Sequence, residues 1–337
     1  MKKLVVALVV VVLLLPGRSA PAAGGQAPDS ATTRKAAGQA DTTAQSNSGA
    51  SAAEGQDVLQ DDAKAVRWYQ KAAEQGDARA QFHLGVAYAG GKGVPQDEAK
   101  AAQWYQKAAE QEDADAQFNL GVMYAEGRGV AKDETKAVHL YQEAAGQGLA
   151  RARFALGVMY AEGRGVPKDD AKAVQWFLKA ADQGHVTAQA DLGVMYYTGR
   201  GVPKDAAKAA QWWQKAADQG HVTAQADLGV MYAEGRGVAK DEAKAAQWYR
   251  KAAEHGHAGA QYNLGLSHLA GRGASRDREK GCALLRASAE QKLEQAVKLY
   301  NDVCAAGADI SPAALKKRLD DESARPAKSA KAPGTAK

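Results

Sequence analysis

The sequence predicts an all-α chain, a right-handed superhelical α-solenoid of antiparallel helix pairs, and three observations carry that prediction. The stretch Asp182 to Tyr196 recurs letter for letter at Asp218 to Tyr232. A Leu-Gly pair returns every 36 residues, with its glycine at Gly85, Gly121, Gly157, Gly193, Gly229 and Gly265. Within each period, small and aromatic residues fall three and four apart, the spacing of one buried helix face. A fixed step of this size marks repeats that cannot bury an apolar face alone and stack to do so.

The chain opens Met-Lys-Lys, then runs apolar from Leu4 to Leu15 up to Pro16, with a small-residue site at Ala20-Pro21-Ala22. Residues 1–22 read as a secretory signal peptide. Twelve apolar residues are short of the ~20 that a membrane helix needs, so no stable span is expected after cleavage, and the mature chain is expected in the bacterial periplasm or outside the cell. Residues 23–60 are mainly Ala, Gly, Ser, Thr and Gln and are expected to form a disordered linker.

The 44 Lys and Arg exceed the 39 Asp and Glu by five. Three of these cations (Lys2, Lys3, Arg18) lie in the leader. Four more (Arg325, Lys328, Lys331, Lys337) lie in the last fifteen residues, which hold no acid. The array between is close to neutral, which argues against a nucleic-acid partner, since such binding rests on many phosphate contacts.

Order is expected from Asp61. Residues 61–76 read as an N-terminal capping helix, with Ala65, Trp68, Tyr69, Ala72 and Ala73 on one face. Six units follow over residues 77–292. Each has a first helix such as Ala116 to Tyr124, a Glu-Gly-Arg-Gly-Val type loop, and a second helix such as Asp133 to Ala145. Glycine inside a helix costs about 1 kcal/mol against alanine, so its recurrence in the Leu-Gly pairs implies that two helices approach closely there. The loop glycines supply positive φ where the first helix stops.

The pattern Ala-x-Ala-Gln-x-x-Leu-Gly-x-x-Tyr-x-x-Gly-x-Gly-Val-x-x-Asp-x-x-Lys-Ala-x-x-Trp-Tyr-x-Lys-Ala-Ala resembles the Sel-one-like repeat (SLR), a relative of the tetratricopeptide repeat, over about residues 62–292. The resemblance implies an α-solenoid whose first helices line a concave face, and a role as adaptor or scaffold, often in bacterial envelopes. Unit six departs from the pattern: His268 stands for Tyr, Ala274-Ser275 for Val-Pro and Leu284-Leu285 for Trp-Tyr. Residues 293–320 read as C-terminal cap helices and 321–337 as a disordered basic tail.

Cys282 and Cys304 are the two cysteines. Antiparallel pairing of their helices brings them within about 4.5 Å of level at 1.5 Å per residue, so they can either form a disulfide stapling the cap or lie as two buried small residues. His185, His221 and His257 hold one position in three successive units. Stacked helices sit ~8–10 Å apart, too far to share a metal bound at ~2 Å per ligand. They read as polar residues at helix starts, and no metal or cofactor is expected. No catalytic motif is visible.

The varying positions of the first helices form the candidate partner-binding set: Arg79, Asp115, Arg151, Thr187 and Thr223 in one row; His83, Asn119, Asp191, Asp227 and Asn263 in a second; and Tyr197 beside them. A third row reads Phe82, Phe118, Phe154, Ala190, Ala226, Tyr262, and the small Ala190 and Ala226 suggest a shallow groove for a peptide or partner helix. The loop cations Lys92, Arg128, Arg164, Arg200, Arg236 and Arg272 read mainly as locally compensated, with Glu126, Glu162 and Glu234 two residues before three of them. The expected function is a non-enzymatic scaffold for a protein or peptide partner. Two alternatives stay open: a penicillin- or cell-wall-directed hydrolase, as associated with some cysteine-rich relatives, and an envelope scaffold for polysaccharide export. The sequence gives no oligomeric state.

Overall fold

The computed structural model describes residues 58–306, 311 and 313–315. The leader, most of the linker and the basic tail expected from the sequence lie outside the described residues. The described chain begins with α1 (Val58–Glu74). The six units then supply α2 (Ala78–Gly90) and α3 (Glu98–Ala109), α4 (Ala114–Glu126) and α5 (Glu134–Gly146), α6 (Ala150–Glu162) and α7 (Asp170–Ala181). They continue with α8 (Val186–Thr198) and α9 (Ala206–Asp218), α10 (Val222–Glu234) and α11 (Glu242–Glu254), α12 (Ala258–Ala270) and α13 (Arg278–Glu290). Each helix packs on the one before and the one after it, giving an α-solenoid of helix pairs. The first helices α2 and α4, and α10 and α12, also touch directly, which marks their side as the inner one.

Local chemistry sets the boundaries. Each second helix starts at an aspartate (Asp97, Asp133, Asp169, Asp205, Asp241, Asp277) whose carboxylate accepts the N–H three residues on at 2.9–3.0 Å. Such a cap is worth about 1 kcal/mol. The same aspartate donates its own N–H, Asp133 to Tyr124 O at 2.9 Å for example, tying the loop to the end of the first helix. That helix stops at a left-handed glycine: Gly163, at φ +74°, ends α6 and donates to Met159 O. Two residues on, Gly165, at φ +66°, lies flat against the backbone of Glu134 in the preceding unit. No other residue type fits that approach.

The core runs unbroken between units. Leu84, Leu120, Leu156, Leu192 and Leu228 are at most 1 % exposed. A methyl on the glycine that follows would meet the aromatic ring of the second helix, Tyr105 at 2.5 Å from Gly85 and Tyr141 at 2.7 Å from Gly121. The first aromatic of each Trp-Tyr pair packs on the preceding unit's core, as Trp104 and Trp176 do. Trp68 departs from the face predicted for it and is 41 % exposed. In unit six the larger Leu269 is matched by Gly281 on the facing helix, where a methyl would come within 2.7 Å.

Two ladders with a 30-residue step tie the array together. On one, the glutamine ending a second helix reaches the first helix of its unit: Gln111 to Gln81, Gln147 to Gln117, Gln219 to Gln189 and Gln291 to Gln261, at 2.8–2.9 Å. In unit five His255 stands where the glutamine belongs, and Gln225 Oε1 is buried without a hydrogen-bond partner. Restoring the donor with His255→Gln is expected to stabilise the chain by about 1 kcal/mol, the net worth of one hydrogen bond; an unchanged denaturation midpoint would refute it. On the second ladder a loop arginine pairs with the acid opening the preceding unit's second helix: Arg128–Glu98 and Arg164–Glu134 at 2.8–2.9 Å, Arg200–Asp170 at 2.7 Å. Ala206 replaces that acid before unit five, and Arg236 turns to Glu234 and to the hydroxyl of Tyr197.

Beyond α13 the chain continues as α14 (Glu294–Leu299) and a π-helical stretch, Tyr300–Ala305. C-terminal cap helices were expected over residues 293–320, without a π-helical stretch among them. Cys282 and Cys304 are joined as a disulfide with Cα atoms 5.6 Å apart. Arg278 donates to Val303 O at 3.1 Å, and Leu315 seals the end of the core.

Candidate partner-binding face

The candidate residues lie one per unit along the first helices, as periodicity requires, and the structure joins only some of them. Asp115 on α4 pairs with Arg151 on α6 across the unit boundary. The Arg151 guanidinium also lies 4.7 Å over the Phe118 ring, while its Nε has no hydrogen-bond partner. Arg79 and Thr223 are exposed, and Thr187 is half-buried.

The second row meets an aromatic residue fourteen positions upstream, on the second helix of the pair before. His83 stacks on Tyr69 with centroids 4.8 Å apart. Burial, with Arg79 adding to it, lowers the His83 pKa to about 4. Asn119 hydrogen-bonds Tyr105, whose hydroxyl burial pushes up to about 12. Ala155 needs no partner. At the fourth copy the upstream aromatic is Phe177, which has no hydroxyl to offer. Asp191 there has Oδ2 sealed from solvent without a partner. Burial pushes its carboxyl up to about 7, against the pull of Arg200. Asp227, fourteen residues after Trp213, is pushed to about 6, again by burial. Asn263 completes the row, half-buried.

The shallow groove suggested by Ala190 and Ala226 is not an empty furrow at Ala190. Both alanines are buried. In units one to three a phenylalanine tilts against the facing ring, as Phe118 does on Tyr141 at 5.6 Å. In unit four the larger Trp213 fills that volume, donates Nε1–H to Ala190 O at 3.2 Å, and takes the Tyr197 ring at 5.5 Å. Tyr197, counted among the binding candidates, therefore braces units four and five internally.

The repeated histidines have a defined task. The Nδ1 atoms of His185, His221 and His257 accept the N–H three residues on at 3.1–3.2 Å, capping α8, α10 and α12. Only a neutral ring can accept there. Burial lowers the pKa of His185 and His221 below the ordinary value. Their contribution is therefore full above the unfolded imidazole pKa of about 6.5 and is lost as pH falls through the lower folded value. Replacing both by aspartate, the cap used at Asp77 and Asp113, is expected to flatten the loss of stability as pH falls below the unfolded imidazole pKa of about 6.5. Parallel melting curves for the two proteins would refute this.

This fold, with its inner face of first helices, defines a helical repeat scaffold, and the family model for the Sel1 repeat matches it seven times: residues 43–77, 78–113, 114–149, 150–185, 186–221, 222–257 and 258–293. The chain belongs to the Sel1 repeat family, whose members generally mediate protein–protein interaction. The first matched unit begins outside the described residues and takes in α1. Among solved structures, the chain is similar to a protective antigen present in uropathogenic Escherichia coli strains displaying an SLR fold. That similarity is 34% identity and a TM-score of 0.76 over 88% of this chain and 65% of that one, so this chain spans about two thirds of the antigen's length. It is also similar to a Sel1 repeat protein from Oxalobacter formigenes, at 33% identity and TM-score 0.63, covering 72% of this chain and 96% of that one. No curated protein matches it.

Proposed function

We propose that the chain is a non-enzymatic scaffold of the bacterial periplasm or cell exterior that binds a peptide or partner protein on the concave face of its first helices. One observation carries the reading: the second helices spend their side chains on holding the array together, while variation between copies gathers on the first helices. The exposed Arg79, the Asp115–Arg151 pair and the half-buried Asp191 and Asp227 give successive units different chemistry on one continuous surface. A rigid curved ribbon recognises by surface, with little ordering cost on its own side. The apolar run Leu4 to Leu15 and the Cys282–Cys304 disulfide support export, since disulfides persist in oxidising compartments. No helix among the described residues is long and apolar enough to cross a membrane.

The test is site-specific photocrosslinking in living cells. A crosslinking side chain at Thr187 or Thr223 is expected to capture defined partners in the envelope fraction. The same group at Gln103, Gln175 or Gln211, exposed on second helices, is expected to capture none. Equal capture from both faces, or capture only in the cytoplasm, would overturn the reading.

A further inference from the structure

We infer that units four and five recognise a basic segment of a partner protein, Asp191 and Asp227 each receiving one lysine or arginine side chain. This rests on the scaffold reading and adds the chemistry of the partner to it. The observation behind it is the unmet carboxylate. Asp191 is half-buried, and its inward oxygen Oδ2 has no hydrogen-bond partner; an unpaired carboxylate with one oxygen out of water is costly enough that proteins rarely keep one without a use. The copy at His83 stacks on Tyr69, the copy at Asn119 hydrogen-bonds Tyr105, and Ala155 has nothing to satisfy. The fourth copy combines an acid with Phe177, the one upstream aromatic of the series that can offer no hydrogen bond at all.

The second observation is the duplication. Asp182 to Tyr196 and Asp218 to Tyr232 are identical, so the same carboxylate, with the same threonine one turn before it (Thr187, Thr223), is presented twice at a one-unit step. Neighbouring helices lie about 10 Å apart, and an extended chain advances about 3.3 Å per residue. Two cations three residues apart on an extended segment therefore match the two acids. Arg200 is the charged group acting on Asp191, and it is already held by Asp170 at 2.7 Å; no charged group offsets the burial of Asp227. Because burial favours the protonated acids, an arriving ammonium or guanidinium must expel a proton, and affinity should rise with pH.

The experiment measures fluorescence anisotropy of a labelled synthetic peptide, lysines at i and i+3 in an alanine–proline background, against the full chain. Asp191→Asn and Asp227→Asn are each expected to weaken binding roughly tenfold or more, the worth of a charge-assisted hydrogen bond. Wild-type affinity is expected to rise from about pH 5.5 to about pH 8 and to fall with salt. Phe177→Tyr keeps the acid but offers it a hydroxyl, as Tyr105 does for Asn119, and is also expected to weaken binding. That result would not follow if Asp191 acted only on stability. Binding that is unchanged in the Asp191→Asn, Asp227→Asn double variant, or equal for a peptide with adjacent lysines, overturns the inference. If Thr187 and Thr223 still capture partners by crosslinking while the lysine peptide does not bind, this inference fails and the scaffold reading stands.

Discussion

Gly165→Ala is expected to destabilise the chain by roughly 2–5 kcal/mol, the sum of a left-handed backbone penalty of about 1–2 kcal/mol and overpacking of about 1–3 kcal/mol. The added methyl would sit 2.5 Å from the carbonyl carbon of Glu134 and closer still to its oxygen. Both are backbone atoms of a helix start and cannot swing aside as a side chain could. The damage falls on the boundary between units two and three. In a stacked array, stability is a sum of unit terms and nearest-neighbour terms, so a weakened boundary uncouples the two sides. Urea unfolding followed by circular dichroism is expected to broaden or split into two transitions. A single transition with an unchanged midpoint would show that the boundary tolerates the methyl. The comparison variant is Gly148→Ala, also at positive φ but with no backbone within 4 Å of the added methyl; it is expected to show the backbone penalty alone.

Removing the disulfide by changing Cys282 and Cys304 to alanine is expected to cost about 3 kcal/mol on the chain-entropy estimate for a closed loop of this length, the two cysteines being 22 residues apart. The loss is local. α14 has six residues and its N-cap, Leu293, makes no side-chain hydrogen bond, so it is too short to hold a helix by itself. Hydrogen exchange is expected to accelerate across residues 294–305 while α4 to α10 keep their protection. Uniform acceleration along the whole array would mean that the cap, once loosened, unravels everything before it.

The parts of the fold legible in the sequence are those that repeat within one helix. The Leu-Gly step, the capping aspartates and the loop glycines are local signals, and they place the helices of the six units to within a residue or two, whereas the first helix begins at Val58, three residues before the expected Asp61. What escaped were relations between helices. The pairing of His83, Asn119 and Asp191 with an aromatic fourteen residues upstream, and of Arg128 or Arg164 with an acid thirty upstream, depends on how one pair is laid on the next, which no helical periodicity encodes. Once the copies are aligned, the signal is there: ahead of the divergent unit six, Phe177 and Ala206 are the departures in columns otherwise aromatic with a polar atom, or acidic. At Ala190 the neighbouring column matters as much as its own, since the lost phenylalanine ring is answered by the larger Trp213 from the facing helix. The π-helical stretch at Tyr300 has no counterpart in any other unit, so the repeat offered nothing to compare it with.

Both thirty-residue ladders lose a rung in the same place. His255 leaves Gln225 Oε1 unpartnered, and Ala206 leaves Arg236 to find Tyr197 instead. Pulled from its two ends, the ribbon would cross this unit with neither of these two ties made. The segment beside the duplicated acids therefore lacks both braces, and a partner held across it would supply one from outside.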